Sequence, residues 1–316
     1  PTAVADLVHV RARSRSLWAA PASWVAFLDR HLAVVFLLPG VIILLMIIIY
    51  PIASNFALSV TNAHLLYPGT RFVGLANFRA VLTDQDFWNA LVHSLVWTTG
   101  SVGFQLFLGL VAALLVDRDI RGRGFFRTLM IIPYTFPAIT MALLWQWILN
   151  GLNGILDYFL MWVGVINQPV GWLIGKGSAM ATVIGVNVWF GYPLMMLAIL
   201  AGLQSIPREF YEVAEIEGAS YPQTFRYVIL PSIWKIIGIM VVLRTVWVFN
   251  NFDLIFLLTG GGPVNATETL PLYAFRTGWK VYNIGKAGAI GVLLFVLVST
   301  LTFCYFRALR VETESR

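Results

Sequence analysis

Six long apolar runs, parted by shorter polar stretches, set the pattern of this chain. They lie near 32–60, 87–116, 125–149, 179–204, 228–258 and 286–306. About 20 apolar residues carry a helix across the hydrocarbon core of a bilayer, so each run predicts one transmembrane helix. The first run follows Arg11, Arg13 and Arg15, as a signal peptide would. Its unbroken core from Leu32 to Tyr50 is longer than the ~7–15 apolar residues of a cleavable segment, which predicts a retained helix. The expected fold is an all-α integral membrane protein of about six transmembrane helices. Its expected organisation is an N-terminal segment over 1–31, a six-helix domain over 32–306 and a tail over 307–316.

Composition agrees with a bilayer as solvent. Of the 316 residues, 59% are apolar and 11% charged, and the mean hydropathy is +0.80. Soluble domains carry roughly 25% charged residues, so this chain lacks the polar surface to cover itself in water. The net charge of +6 sits in short clusters between apolar runs, the distribution of a membrane protein rather than a nucleic-acid binder.

The clusters also predict orientation. With the N-terminus in the cytoplasm, the inside set is Arg11, Arg13, Arg15, Arg30, Arg118, Arg121, Arg123, Arg127, Arg208, Arg226, Lys235, Arg307, Arg310 and Arg316. The outside set is Arg71, Arg79, Lys176, Arg276, Lys280 and Lys286. Cytoplasmic loops collect Lys and Arg, so 14 against 6 predicts both termini inside a multi-pass cytoplasmic membrane protein. The three outside connections, about 61–86, 150–178 and 259–285, leave room for short interfacial helices.

Soluble chemistry has little to work with. Cys304 is the single cysteine, so no internal disulfide or CxxC metal pair can form. The four histidines are scattered, with no HExxH pair, and no metal is expected. Gly175-Lys176-Gly177-Ser178 lacks the spacing of a phosphate loop. No catalytic set is visible, and a membrane enzyme is disfavoured.

Polar side chains within the apolar runs are costly and therefore informative. Arg244 falls near the middle of the fifth run, where a lipid-facing charge costs ~2.5–3.5 kcal/mol on insertion scales. It should face the bundle interior, a partner subunit or a wet cavity. Arg244, Trp247 and Asn251 follow at i, i+3 and i+7, one face of a continuous helix, with Asn250 and Asp253 nearby. Asn187 and Tyr192 occupy the fourth run. These side chains suit a pathway for a hydroxyl-rich solute, with interhelical hydrogen bonding at ~0.6 kcal/mol each as the plainer account.

The connection between runs four and five, about 206–222, carries the sharpest signal. Pro207 can open a helix, Glu residues suit its first turn, and Gly218 can end it in the left-handed conformation. A short helix, a glycine turn and a second short helix are predicted. Phe210, Val213, Ala214 and Ile216 give the first an apolar side beside an acidic one.

Within this stretch Glu212-Val213-Ala214, three residues, Gly218, nine residues, then Val228-Ile229-Leu230-Pro231 resembles the EAA loop of binding-protein-dependent ABC importers. Val213 and Val228 replace Ala and Ile of that pattern. Glu217 stands where the sugar branch usually has Asp, and Lys235 where it often has a further proline, so the entry to the fifth span could bend differently. Asn250-Asn251-Phe252-Asp253, Gly260-Gly261-Gly262-Pro263, Thr269-Leu270-Pro271 and Ala201-Gly202-Leu203-Gln204 are similar to the maltose and glycerol-phosphate branch, so the likeness spans about 32–306.

The resemblance implies a type I ABC importer permease subunit that forms half of a pathway for a sugar or sugar-like solute. It implies that Glu212, Ala214, Gly218, Leu230 and Pro231 belong to a cytoplasmic coupling helix docked on an ATPase. Gly260, Gly261, Gly262 and Pro263 become an outer gate and a contact for an extracytoplasmic binding protein. The implied partners are a second permease subunit, two ATPase subunits and that binding protein. ATP and Mg sit on the ATPase, with no cofactor on this chain, in a bacterial or archaeal inner membrane. The competing class, an ion-coupled secondary transporter, calls for an inverted repeat and carboxylates within the spans. Asp253 is the one acid in any predicted span, and no repeat is visible.

Overall fold

The computed structural model describes residues 22–118 and 121–314, so Arg11, Arg13, Arg15 and most of the N-terminal segment lie outside the described residues. The described chain is built from helices: α1 Ala22–Ser59, α2 Ala76–Leu82, α3 Gln85–Asp117, α4 Arg123–Thr135, α5 Ala138–Ile148, α6 Ile155–Trp162 and α7 Ala179–Gln204. There follow α8 Arg208–Ile216, α9 Tyr221–Thr224, a π-helical turn Phe225–Ile229 and α10 Leu230–Phe249. The chain ends with α11 Asp253–Thr259, α12 Leu270–Phe275, a second π-helical turn Arg276–Lys280 and α13 Ile284–Glu314. The only pairings of β type among the described residues are two isolated bridges.

Two compact units divide the chain, Pro1–Ser54 and Asn55–Arg316. The described part of the first is one apolar helix carrying Pro39 and Pro51. The second holds the bundle, in which α3, α7 and α10 pack together. Gly109 of α3 lies against Met195 of α7, where a Cβ would strike the Met195 side chain. The Trp97 indole donates to the Val248 carbonyl of α10 at 2.8 Å. Met195, Met196, Ile199, Leu200, Ile233 and Val186 are buried between these helices. The two ends of the bundle differ. At one, the C-terminal end of α3, the start of α4, the end of α7 and α8 converge. At the other lie the N-terminal ends of α3 and α13, joined through the Asp84–Lys286 ion pair.

Five described helices are long and apolar enough to cross a membrane, and six are if the bent pair α4 and α5 counts as one span. The third predicted span, 125–149, is therefore not one rod: α4 and α5 meet at 94°. Phe136 before Pro137 is extended, at ψ 138°, because a residue that precedes proline is pushed out of the helical region.

The fifth span also differs from its predicted bounds of 228–258. Helical chain begins at Tyr221 and ends at Phe249, a 29-residue segment. Pro231 cannot donate to the carbonyl four residues back, and the π-helical turn just before it absorbs the misfit. At the far end Asn251 Oδ1 accepts from Leu254 N at 3.2 Å and starts α11 as a separate short helix. Lys235 lies within α10, past the π-helical turn at Phe225–Ile229.

Candidate functional site: the loop after α7, a mid-span arginine and an ion-paired clamp

The loop after α7 takes the predicted form. Pro207 sits at the N-cap of α8, and Gly218 has φ +72°, the left-handed conformation that favours glycine. The Ala219 N–H returns to the Ala214 carbonyl at 2.9 Å, a closing bond of the kind that ends helices before such a glycine. Ser220 N–H then meets Gln223 Oε1 at 2.7 Å and caps α9.

Orientation of α8 sorts its residues. Ala214 is buried, whereas Phe210, Val213 and Ile216 are exposed, Ile216 to 84%. Glu212 is exposed and lines a polar crevice of about 690 Å3 with Glu215, Arg208, Arg123 and Arg127. Tyr211 is held with its hydroxyl pKa raised, by burial first and then by Asp117 and Tyr221. Arg118 lies 5.0 Å over the Tyr221 ring, so the α3–α4 turn is strapped to α9. Of the other motif positions, Pro231 sits in the first turn of α10, and Leu230 packs against the buried Ile229, Ile233 and Leu203 cluster.

Arg244 is 5% exposed, within the bundle as a mid-span charge requires. Its Nε donates to Gln105 Oε1 at 2.9 Å, and Gln105 Nε2 donates to the Asn187 carbonyl at 2.9 Å. One chain of bonds thus links α10, α3 and α7. Gly191 makes this possible: a Cβ there would strike both Arg244 Nη2 and Gln105 Nε2. Thr98, Ser101 and Gln105 are buried at i, i+3 and i+7 on one face of α3. The Thr98 and Ser101 hydroxyls and Asn187 Nδ2 find no hydrogen-bond partner among the described residues.

The single face expected for Arg244, Trp247 and Asn251 does not form. Helix α10 ends at Phe249, so Asn251 lies beyond it, and Trp247 is 56% exposed while Arg244 is buried. Asn250 Nδ2 bonds back to the Val246 carbonyl at 2.9 Å, and Asp253 opens α11. Asp253 is accordingly not an acid inside a long span. Tyr192 donates to the Met130 carbonyl of α4 at 3.2 Å, apart from the Arg244 chain of bonds. Gln105 was missed by the sequence reading. Its signal was present, because a glutamine in an apolar run two turns after Thr98 marks a polar stripe.

At the other end of the bundle the glycine run forms a tight, pinned turn. Gly260 and Gly261 have φ +61° and +92°, and Gly262-Pro263 is a cis peptide bond. Thr267 Oγ1 donates to the Gly262 carbonyl at 2.7 Å, and Thr267 N–H reaches the Gly261 carbonyl at 3.1 Å. The next residue, Glu268, is buried against Arg276. Nη2 of Arg276 donates to Glu268 Oε2 at 2.9 Å and to Asp86 Oδ2 at 2.8 Å. Its Nε lies 2.7 Å from Glu268 Oε1 but off hydrogen-bond angle, an ionic contact only.

Asp84, the N-cap of α3, accepts from Lys286 Nζ at 2.6 Å and from the Tyr273 hydroxyl at 2.7 Å. Burial raises the Glu268 carboxyl above its ordinary pKa and outweighs Arg276. Burial pushes Asp84 the same way, yet the bonds from Lys286, Tyr273 and the Asp86 N–H hold it below its ordinary value. These six side chains clamp the glycine turn, α12, α13 and the start of α3 into one unit.

A bundle of apolar helices with a broken span, a buried polar chain and an amphipathic loop at one end is that of a membrane-embedded protein. The comparisons make the class specific: residues 105–311 match the family of binding-protein-dependent transport system inner membrane components, and the chain belongs to it. Its members are permease subunits of ABC importers, transport components rather than enzymes. The chain is 35% identical over 295 residues to the trehalose/maltose transport system permease protein MalF of Thermococcus litoralis, covering 92% of this chain and 98% of that one. It is 32% identical over 284 residues to the sn-glycerol-3-phosphate transport system permease protein UgpA of Agrobacterium fabrum, covering 90% and 96%. A solved bacterial ABC transporter that imports the acidic polysaccharide alginate has the same fold, with a TM-score of 0.76 at 20% identity over 91% of this chain and 98% of that one.

Proposed function

We propose that this chain is one half of the transmembrane pathway of an ATP-driven importer for a sugar or sugar-like solute, received from an extracytoplasmic binding protein. Its partners are a second, different permease subunit and two ATPase subunits, on which ATP and Mg are bound. The α8 end faces the cytoplasm together with both termini, in keeping with the excess of Lys and Arg there. The observation that carries this reading is α8: Phe210, Val213 and Ile216 are exposed on a helix fixed from behind by Ala214 and turned back at Gly218. An apolar side left uncovered on an otherwise charged surface is a docking face, and Glu212 adds a charge-assisted bond to a basic group of the ATPase.

The relatives' names support the solute class, since one is named for trehalose and maltose and another for sn-glycerol-3-phosphate. A solved alginate transporter bound to its pentasaccharide-loaded periplasmic protein, with the same fold at a TM-score of 0.74 and 21% identity over 89% of this chain and 94% of that one, supports a binding-protein partner. In this reading Arg244, Asn187, Tyr192, Trp247, Asn250, Asn251 and Asp253 line or flank the pathway, and Gly260–Pro263 forms the outer gate. The ion-coupled alternative finds no support in the family match.

The test reconstitutes the assembled transporter with its binding protein and measures solute-stimulated ATP hydrolysis over a carbohydrate panel. Stimulation by a sugar, lost in Gly218→Leu while the ATPase subunits alone stay active, is expected. Uptake driven by an ion gradient without ATP would overturn the assignment.

A further inference from the structure

We propose that a polar pocket beside the N-terminal end of α13, built from Asn62, His64, Tyr67, Arg71, Asn77 and Asn283, is a saccharide-binding subsite on the outer mouth of this subunit. The proposal rests on the sugar-importer reading above and adds to it a site away from the mid-span residues. The pocket has a volume of about 500 Å3, within the ~300–1,000 Å3 of small-molecule sites.

Its walls are pinned before any ligand arrives. The 61–73 loop is tied to itself by Asn62 N–H to the Arg71 carbonyl at 3.0 Å and Val73 N–H to the Val60 carbonyl at 2.8 Å. It is tied to the start of α13 by Leu65 N–H to the Tyr282 carbonyl and Gly285 N–H to the Ala63 carbonyl, each 2.9 Å. Gly285 permits that approach, because a Cβ there would run into the Thr61 carbonyl.

The chemistry lies in how each polar side chain is held. Asn62 Oδ1 accepts from Arg71 N–H at 2.6 Å, which leaves its NH2 group unused. Asn283 Oδ1 accepts from Lys286 N–H at 2.9 Å and likewise keeps its NH2 free. Asn77 does the reverse: Nδ2 donates to the Ser59 and Thr61 carbonyls at 2.8 and 2.7 Å, so its Oδ1 remains as an acceptor. His64 Nδ1 accepts from Leu66 N–H at 3.2 Å, which places the ring proton on Nε2 as a further donor.

Three amides and one imidazole are each fixed by the backbone at one end and unused at the other. Such fixed donors and acceptors lose little conformational freedom when a ligand binds. The exposed Tyr67 ring lies 4.7 Å from the His64 ring and offers an aromatic face. Arg71 is exposed and makes no ion pair among the described residues. Mixed donors and acceptors around an aromatic face match a sugar ring, with hydroxyls at its rim and C–H groups on its faces. A concave wall of fixed amides suits a small polyhydroxylated molecule better than a protein surface, which favours flatter apolar anchors. Arg71 adds a preference for a sugar bearing a carboxylate or phosphate.

The assembled transporter in nanodiscs, without binding protein, is titrated with maltose, trehalose and digalacturonate by saturation-transfer NMR, and uptake of the same sugars is measured in proteoliposomes. Binding of a transported sugar is expected, with Kd raised about tenfold in Tyr67→Ala and in Asn283→Leu. Arg71→Gln should weaken digalacturonate alone, and Tyr158→Ala, an exposed tyrosine of α6 outside the pocket, should change nothing. Tyr67, Arg71 and Tyr158 are exposed, so those three changes should keep the fold; Asn283→Leu also removes the bond to Lys286 N–H, and Tyr67→Ala therefore carries the test independently of it. A transported sugar whose binding is the same in wild type, Tyr67→Ala and Asn283→Leu overturns the subsite and leaves the importer reading standing. Variants that weaken only the binding protein's affinity also overturn it and make the pocket a protein contact. An assembly whose ATPase no sugar stimulates removes the sugar reading itself, and the subsite with it.

Discussion

Two arginines, Arg244 buried and Arg276 half-buried, meet the same problem in opposite ways. Arg276, at the end of the bundle where α13 begins, is satisfied by two carboxylates, Glu268 and Asp86, and sits beside a second pair, Lys286 with Asp84. Arg244, in the middle of the bundle, has one glutamine and no carboxylate partner among the described residues. Near water an ion pair can be built from long side chains whose exposed parts remain hydrated. Deep in the bundle a second charge would add its own desolvation cost, so a neutral amide carries the arginine instead. The Arg276 cluster therefore reads as a clamp, while the Arg244 one keeps a charge poised with unused hydrogen-bonding capacity nearby.

Breaking the Arg276–Glu268 pair should have the largest effect on stability. Arg276→Ala leaves Glu268 buried without a counter-charge, a situation that costs ~3–5 kcal/mol. Thermal unfolding of the purified complex should show it, with Glu268→Gln in the same background recovering part of the loss. An unchanged midpoint in Arg276→Ala would mean that the clamp contributes nothing.

The inner cluster should respond next. Gly191→Ala forces a methyl group onto Arg244 and Gln105, and overpacking of this kind costs ~1–3 kcal/mol. If the packing argument holds, Gly191→Ala with Gln105→Ala destabilises less than the sum of the two single changes. Arg244→Met should be milder than Arg276→Ala, since it removes the buried charge itself and orphans only a neutral Gln105 oxygen, at ~1–3 kcal/mol. Equal or larger loss in Arg244→Met would erase the contrast between the two sites.

The smallest expected effect is on acid sensitivity. Asp84 has a folded-state pKa below its ordinary 3.8, so its stabilising contribution is present above that value and fades as pH falls through the lower folded value. Lys286→Met should flatten that low-pH decline. Glu268 carries the opposite sign, because its raised pKa makes folding take up a proton, so stability from this group rises as pH falls toward 4.5. Proton uptake on unfolding, followed by calorimetry at several pH values, separates the two.

Much of α8 was legible in the chain. Proline at the start, acidic residues in the first turn and glycine at the end are local signals, and local signals need no partner to act. Arg244 could likewise be placed inside the bundle from the cost of the alternative. What it would touch could not be read, because Gln105 is 139 residues away and only the packing of α3 against α7 and α10 brings them together. The shared face of Arg244, Trp247 and Asn251 failed for a related reason. The i, i+3, i+7 spacing assumes an unbroken helix, whereas α10 ends at Phe249 and the Asn251 side chain bonds into the first turn of α11.

By itself, then, the sequence determined the solvent, the number and rough extent of the apolar segments, and the helix–turn–helix of the loop after α7. These follow from hydropathy and from conformational preferences that span a few residues. Tertiary structure alone decided that Gly191 makes room for a guanidinium, and that Asp84, Asp86, Glu268, Tyr273, Arg276 and Lys286 form one clamp. Those outcomes depend on residues far apart in the chain meeting at a low-dielectric interior or at its rim. Distance and desolvation, not sequence spacing, set which of them pair.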